Sequence, residues 1–301
     1  MAQPDVMRHE LTAAELLAPV LRSQVDDLRH WEAQLREQQP EAIHQFRVAT
    51  RRLRSGLAGF EPLFDDRASR TLVNDLRRSA SAIGDGRDVQ AVRDRVDALF
   101  IDEADATSSR LHVLLAQRLD QIGGESWKRS VDHLNHSDYD DFTRRLERFA
   151  DMPPWLPAAD LPADEALLPI LRSEWSRFRK YVQRALAEPA SPDDECLHQT
   201  RKASKRARYV AESLVIVFGR KAKRMGKASK RVQVALGNHQ DSTLVREFLI
   251  DARRHLALDE DAAQTLARLQ EREASHLSAL RVDIEQSLRG TDRVSLRAWM
   301  R

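Results

Sequence analysis

Cysteine occurs once, as Cys196, in 301 residues. No internal disulfide can form, and such usage fits a reducing compartment, here the cytoplasm. Glycine is scarce, with 10 in the chain. Residues that favour strands do not alternate in runs, so the signature of a sheet is missing. Nowhere do 18 apolar residues follow one another, so no membrane span is expected. Residues 1–17 carry Asp5, Glu10 and Glu15 and lack a continuous apolar stretch, which argues against a signal peptide. An excess of one charge is also missing: 49 Lys and Arg face 47 Asp and Glu, a net of +2. A total so close to zero argues, at face value, against a polyanion partner. It says nothing of how the charge is distributed.

What the chain has is helix. The hydrophobic share of 42% is too high for disorder and ample for a core. Apolar residues recur at three and four: Leu17, Val20, Leu21, Gln24, Leu28, Trp31 and Leu35 form one stripe with a single polar break, and Leu266, Leu269, Leu277, Leu280, Ile284 and Leu288 another. The fold class is all-α, with helix bundles as the means of burying such stripes. Pro153, Pro154, Pro157, Pro162 and Pro169 mark a break in composition from Asp151 to Pro169; proline opposes helix interiors, so the first part of the stretch reads as a linker. The expected division is residues 1–150, a linker at 151–165, and residues 166–301.

The halves repeat one another. His44-Gln45-Phe46-Arg47-Val48-Ala49-Thr50-Arg51-Arg52-Leu53-Arg54 returns at a shift of 154 as His198-Gln199-Thr200-Arg201-Lys202-Ala203-Ser204-Lys205-Arg206-Ala207-Arg208. Gly84 and Asp88 return at a shift of 153 as Gly237 and Asp241. Two motifs in one order at nearly one offset indicate a duplicated helical bundle.

On a helix, His44, Arg47, Arg51 and Arg54 fall within an arc of about 80°, opposite Ala42, Phe46, Leu53 and Leu57. His198, Arg201, Lys205 and Arg208 group in the same way, opposite Cys196, Ala203, Ala207 and Leu214. Cys196 is therefore expected in the core and not as a nucleophile. Arg220, Lys223, Arg224, Lys227, Lys230 and Arg231 share the face of a further helix; its first-half counterpart is thinner and includes Arg77. Like charges one turn apart destabilise a helix by about 0.2–0.5 kcal/mol per pair, so single-sign faces ask for a ligand. The bland alternative is a solvated face bridged to acids on neighbouring helices. Residues 44–54 and 198–231 hold 16 Lys and Arg against one acid, Glu212, a net of +15; the remainder, with 33 basic and 46 acidic residues, has a net of −13.

The two His-x-x-Arg-x-x-x-Arg/Lys-Arg-x-Arg helices, each followed by Gly-x-x-x-Asp about 40 residues after its histidine, resemble the CHAD family, the conserved histidine α-helical domain. The resemblance implies two four-helix bundles related by a pseudo-two-fold axis, with a basic surface track or channel. It implies binding of inorganic polyphosphate and association with polyphosphate granules. Some family members carry a triphosphatase domain of the CYTH type. Its Glu-x-Glu-x-Lys signature is absent, the nearest string being Glu271-Arg272-Glu273-Ala274-Ser275, so the chain resembles a stand-alone member.

The residues expected to hold the polyanion are His44, Arg47, Arg51, Arg54 and Arg77, and His198, Arg201, Lys202, Lys205, Arg208, Lys223, Lys227 and Lys230. Arginine grips two phosphate oxygens with a planar fork and lysine adds a point charge. The second half, richer in cations, is expected to carry more of the binding. Nucleic acid is the competing partner. Among their cations the basic helices offer it Tyr209 and little else for stacking, so it is expected to bind more weakly. Gly84 and Gly237 are expected to close helices, with Asp88 and Asp241 capping the next ones. No catalytic group, cofactor or metal site is expected. His133 and His136, beside Asp138, Asp140 and Asp141, read as a polar helix junction.

Overall fold

The computed structural model describes residues 11–39, 41–83, 85–101, 103, 105–187 and 194–300, with the side chains of 85–88 and 194 excepted. Among the described residues there is no strand. The chain runs through α1 (Ala13–Arg36), α2 (Ala42–Gly59), α3 (Asp66–Ala82), α4 (Asp85–Leu99), α5 (Ala106–Leu134), α6 (Ser137–Asp151), α7 (Ala163–Ala187), α8 (Asp194–Ser213), α9 (Val215–His255) and α10 (Glu260–Arg289).

Local chemistry starts these helices. Thr12 and Glu15 form a capping box on α1, the Thr12 N–H donating to Glu15 Oε2 at 2.8 Å and the Glu15 N–H to Thr12 Oγ1 at 3.2 Å. Asp65, Asp105 and Asp259 accept from the N–H groups of Ala68, Ser108 and Ala262 at 3.1, 2.9 and 2.8 Å, opening α3, α5 and α10. Each such cap is worth about 1 kcal/mol.

The proline-rich segment is tied down. The Asp65 N–H donates to the Pro154 carbonyl and the Leu156 N–H to the Leu63 carbonyl, both at 2.9 Å. Trp155 stacks on Phe64 with ring centroids 4.6 Å apart.

Both halves contribute to each of two apolar clusters. The larger includes Leu28, Phe46, Leu53, Leu76 and Leu146 from the first half and Phe178, Val210, Met225 and Val232 from the second. The smaller joins Val92 and Val96 of α4, Leu111 and Leu115 of α5, Val245 and Leu249 of α9, and Leu266 and Leu269 of α10. It is a four-helix arrangement made from one helix pair of each half. Beside it Glu273, fully buried, accepts from Arg95 Nε at 2.9 Å and from the Ser242 hydroxyl. That contact links α4, α9 and α10.

Gly237 and Asp241 depart from expectation. The second half has no helix break at Gly237. Both residues lie inside α9, which runs unbroken from Arg220 to His255 after a kink at Gly219 (φ 54°, ψ −131°). Asp241 therefore caps nothing. Buried residues continue through the position at helical spacing, as Val232, Leu236, His239, Ser242 and Val245. Their packing outweighs the roughly 1 kcal/mol that glycine costs a helix. In the first half a break does fall between α3 and α4. Gly84, and the side chain of Asp88, lie outside the described residues.

Candidate anion-binding track

The core face of α2 is Ala42, Phe46, Ala49, Leu53 and Leu57, all buried. Burying it turns Arg47, Arg51 and Arg54 to the opposite side, where each is half-buried. Burial pushes the Arg54 guanidinium below the usual arginine range, and the positive charges of Arg77, Arg51 and Arg47 lower it further. Arg77 reaches this group from α3. Its Nη1 also donates to Asn74 Oδ1 at 3.4 Å. Four guanidinium groups thus crowd together on two adjacent helices.

On α8 the buried face is Cys196, Ala203, Ala207, Val210 and Ala211. Arg201, Lys205 and Arg208 are half-buried on the other side and Lys202 is exposed. This stripe lies along α9. A Cβ at Gly237 would stand 3.5 Å from Arg201 Nη2, and Arg208 Nη1 donates to Gln233 Oε1 at 3.1 Å. Arg208 Nε also donates to Glu212 Oε1 at 2.7 Å. Lys223, Lys227 and Lys230 of α9 are exposed, and none of them has a hydrogen bond or ion pair among the described residues.

The remaining arginine of each repeated motif has a different role. Arg52 pairs with Asp27 of α1 at 3.7 Å, and Arg206 with the buried Glu174 of α7 at 2.6 Å. These two brace their helices against neighbours and leave the track to the other cations.

The two stripes meet where α2 crosses α8. Arg51 Nε donates to the Tyr209 hydroxyl at 3.4 Å. Gly59 permits the approach: a Cβ there would stand 2.4 Å from Val210 Cγ2. Tyr209 is buried, with 4% of its surface exposed, so it is not an open stacking platform.

The histidines occupy separate places. His44 lines a cavity of about 1270 Å³ that also touches Gln90, Arg93, Arg95, Asn238 and Asp241. His198 lines one of about 180 Å³ with Arg201, His239, Gln240, Thr243 and Glu247. Burial holds the His198 imidazole below its ordinary value; Lys202, Lys205 and Arg201 push the same way and Glu195 opposes them.

Tyr209, Gln233 and Glu212 acquire roles that sequence reasoning did not assign. A signal existed for Gln233: it lies seven residues after Gly226, two helical turns along the same face. His133 bonds Ser79 Oγ at 3.3 Å, and His136 caps α6 by accepting from the Asp138 N–H at 3.4 Å. Among the described residues no group of three or more His, Cys, Asp or Glu is placed to hold a metal ion, and no helix is long and apolar enough to cross a membrane.

The family model of the CHAD domain matches residues 19–250. The chain belongs to the CHAD family. Two uncharacterized proteins of Mycobacterium tuberculosis, MT2285 of strain CDC 1551 / Oshkosh and Rv2226 of strain ATCC 25618 / H37Rv, are each 28% identical over 284 residues. The match covers 91% of this CHAD protein and 53% of each relative, so the chain spans about half the length of the curated relatives it matches. Among solved structures, PptA from Streptomyces chartreusis superposes with a TM-score of 0.74 at 20% identity, covering 92% of this chain and 99% of that one. The CHAD domain from the plant Ricinus communis superposes with a TM-score of 0.62 at 20% identity, covering 91% of each. Both likenesses establish the fold.

Proposed function

We propose that this CHAD protein binds inorganic polyphosphate along the basic faces of α2, α3, α8 and α9. The family is associated with polyphosphate binding in general, and the reading for this chain rests on its own residues. One observation carries it: Arg54 sits partly buried among Arg77, Arg51 and Arg47, and its guanidinium is pushed down by that burial and then by their charges. A fold that holds four like charges together stores repulsion, and a polyanion relieves it. Three exposed lysines on α9, unpaired among the described residues, add points of attachment.

Polyphosphate carries about one charge per unit on a flexible chain with no bases. It needs a row of cations and nothing on which to stack. The buried Tyr209 supports this choice over single-stranded nucleic acid. The role is one of binding, without catalysis, and delivery to polyphosphate granules in the cytoplasm is part of the proposal. So is the relation of the repeats by a pseudo-two-fold axis, which would join the stripes of α2 and α8 into one track or channel.

The test is a titration with long-chain polyphosphate at two salt concentrations, with short duplex DNA as competitor at equal phosphate. The expected result is binding that weakens steeply with salt, by counterion release, and resists displacement by DNA. Displacement of polyphosphate by equal DNA phosphate would transfer the assignment to nucleic acid.

A further inference from the structure

We propose that Glu212 is a built-in counter-anion. It occupies Arg208 in the free protein and sets how tightly, and how selectively, the track takes a polyanion. The inference rests on the polyphosphate reading and deepens it.

Between His198 and Arg231, Glu212 is the only acid among twelve Lys and Arg. Its carboxylate stands one turn after Arg208 and receives the Nε hydrogen bond at 2.7 Å. The stem is held too. A Cβ at Gly226 of α9 would lie 3.3 Å from Glu212 Cγ, so a side chain at that position would crowd the carboxylate's approach. Gln233, also on α9, takes the Arg208 Nη1 hydrogen bond at 3.1 Å. The guanidinium lies 5.4 Å from the centre of the Tyr209 ring, whose hydroxyl accepts from Arg51. The pair therefore sits at the meeting point of the two stripes. Arg208 is about four-fifths buried there, and a partly desolvated pair is screened less than an exposed one.

An incoming polyanion must compete with this carboxylate for Arg208. Of the five guanidinium donors, two are occupied, so the contact left to a ligand is partial. A flexible chain can bring adjacent phosphates to bear on one guanidinium and displace the carboxylate. Phosphates fixed on a duplex approach one at a time and meet the repulsion of Glu212 in full. Glu212 is thus a positioning residue that acts through Arg208 and favours the flexible polyanion over DNA.

The experiment compares the unmodified protein with Glu212→Gln, Arg208→Gln and the double variant. Each is titrated with long-chain polyphosphate and with duplex DNA at about 50 and 200 mM salt. Glutamine keeps the acceptor and the stem and removes only the charge. Glu212→Gln is expected to tighten polyphosphate about two- to fivefold. It should steepen the dependence of log K on log salt by roughly 0.7–0.9, and tighten DNA by the larger factor. In the Arg208→Gln background the gain should at least halve. Glu212→Ala must shift affinity in the same direction. Affinity unchanged or weakened by Glu212→Gln, or a gain undiminished without Arg208, overturns the proposal. If the unmodified protein binds no polyphosphate, the functional reading fails and this proposal falls with it. If it binds and Glu212→Gln does not tighten it, only the role of Glu212 fails.

Discussion

His198 shows how one residue can tie binding to pH. Burial, with Lys202, Lys205 and Arg201, holds its pKa below the usual histidine value of 6.5, so the free protein favours neutral imidazole. A folded pKa below the unfolded one contributes stability that is complete above about pH 6.5 and is lost as pH falls through the folded value. A bound anion acts the other way and raises the pKa, so binding takes up a proton. Affinity for polyphosphate is therefore expected to rise between pH 8 and pH 6, by at most about tenfold for each pKa unit gained. The rise should shrink in His198→Gln. Calorimetric titration at three pH values checks this, and the same flat profile from both proteins would contradict it. The histidine, its spacing and its cationic neighbours were legible in the sequence. The burial around it was not, because Leu236, His239 and Thr243 come from far along the following helix, α9.

At the scale of the element, the crossing of α2 and α8 decides whether two basic stripes become neighbours. Its contact point is Gly59 against Val210. Gly59→Ala would place a Cβ 2.4 Å from Val210 Cγ2, a distance at which the Val210 side chain or the helix crossing must shift. The expected loss is about 1–3 kcal/mol by urea unfolding, the usual cost of overpacking. Adding Val210→Ala should recover part of it, because the side chain that clashes is then shortened. Failure of that rescue would mean the crossing is held by other contacts. The helical character of α2 and α8 followed from their apolar spacing. Their crossing point did not, because nothing in a periodicity says which glycine meets which valine. The same limit explains Gly237. Its neighbours read as a helix end, yet buried positions on both sides carry α9 through it.

Across the whole molecule, charge and packing are distributed differently. The +15 of two segments and the −13 of the rest are a property of the chain. Which cations stay available is a property of the fold. Arg52, Arg206 and Arg208 are matched to Asp27, Glu174 and Glu212, whereas Lys223, Lys227 and Lys230 are matched to nothing among the described residues. Replacing those three lysines with Ala is expected to leave thermal stability nearly unchanged, as surface substitutions do, within about 0.5 kcal/mol. The same variant should flatten the salt dependence by roughly two to three units of slope, at 0.7–0.9 for each lost phosphate contact. An unchanged slope in salt titrations would exclude α9 from the track.

By itself the sequence determined the all-α class, the duplicated basic motif and the family, because each is written in local spacing and residue type. The tertiary structure decided which motif arginines line the half-buried basic stripes and which brace a neighbouring helix. It decided that both halves feed each apolar cluster, and that Glu212 comes to rest on Arg208 beside Gly226. The physical reason is common to these. Helical periodicity is a local property with a fixed repeat. A pairing between charges depends on how close two helices come, and that distance is set by small residues such as Gly59, Gly226 and Gly237 on surfaces far apart in the chain.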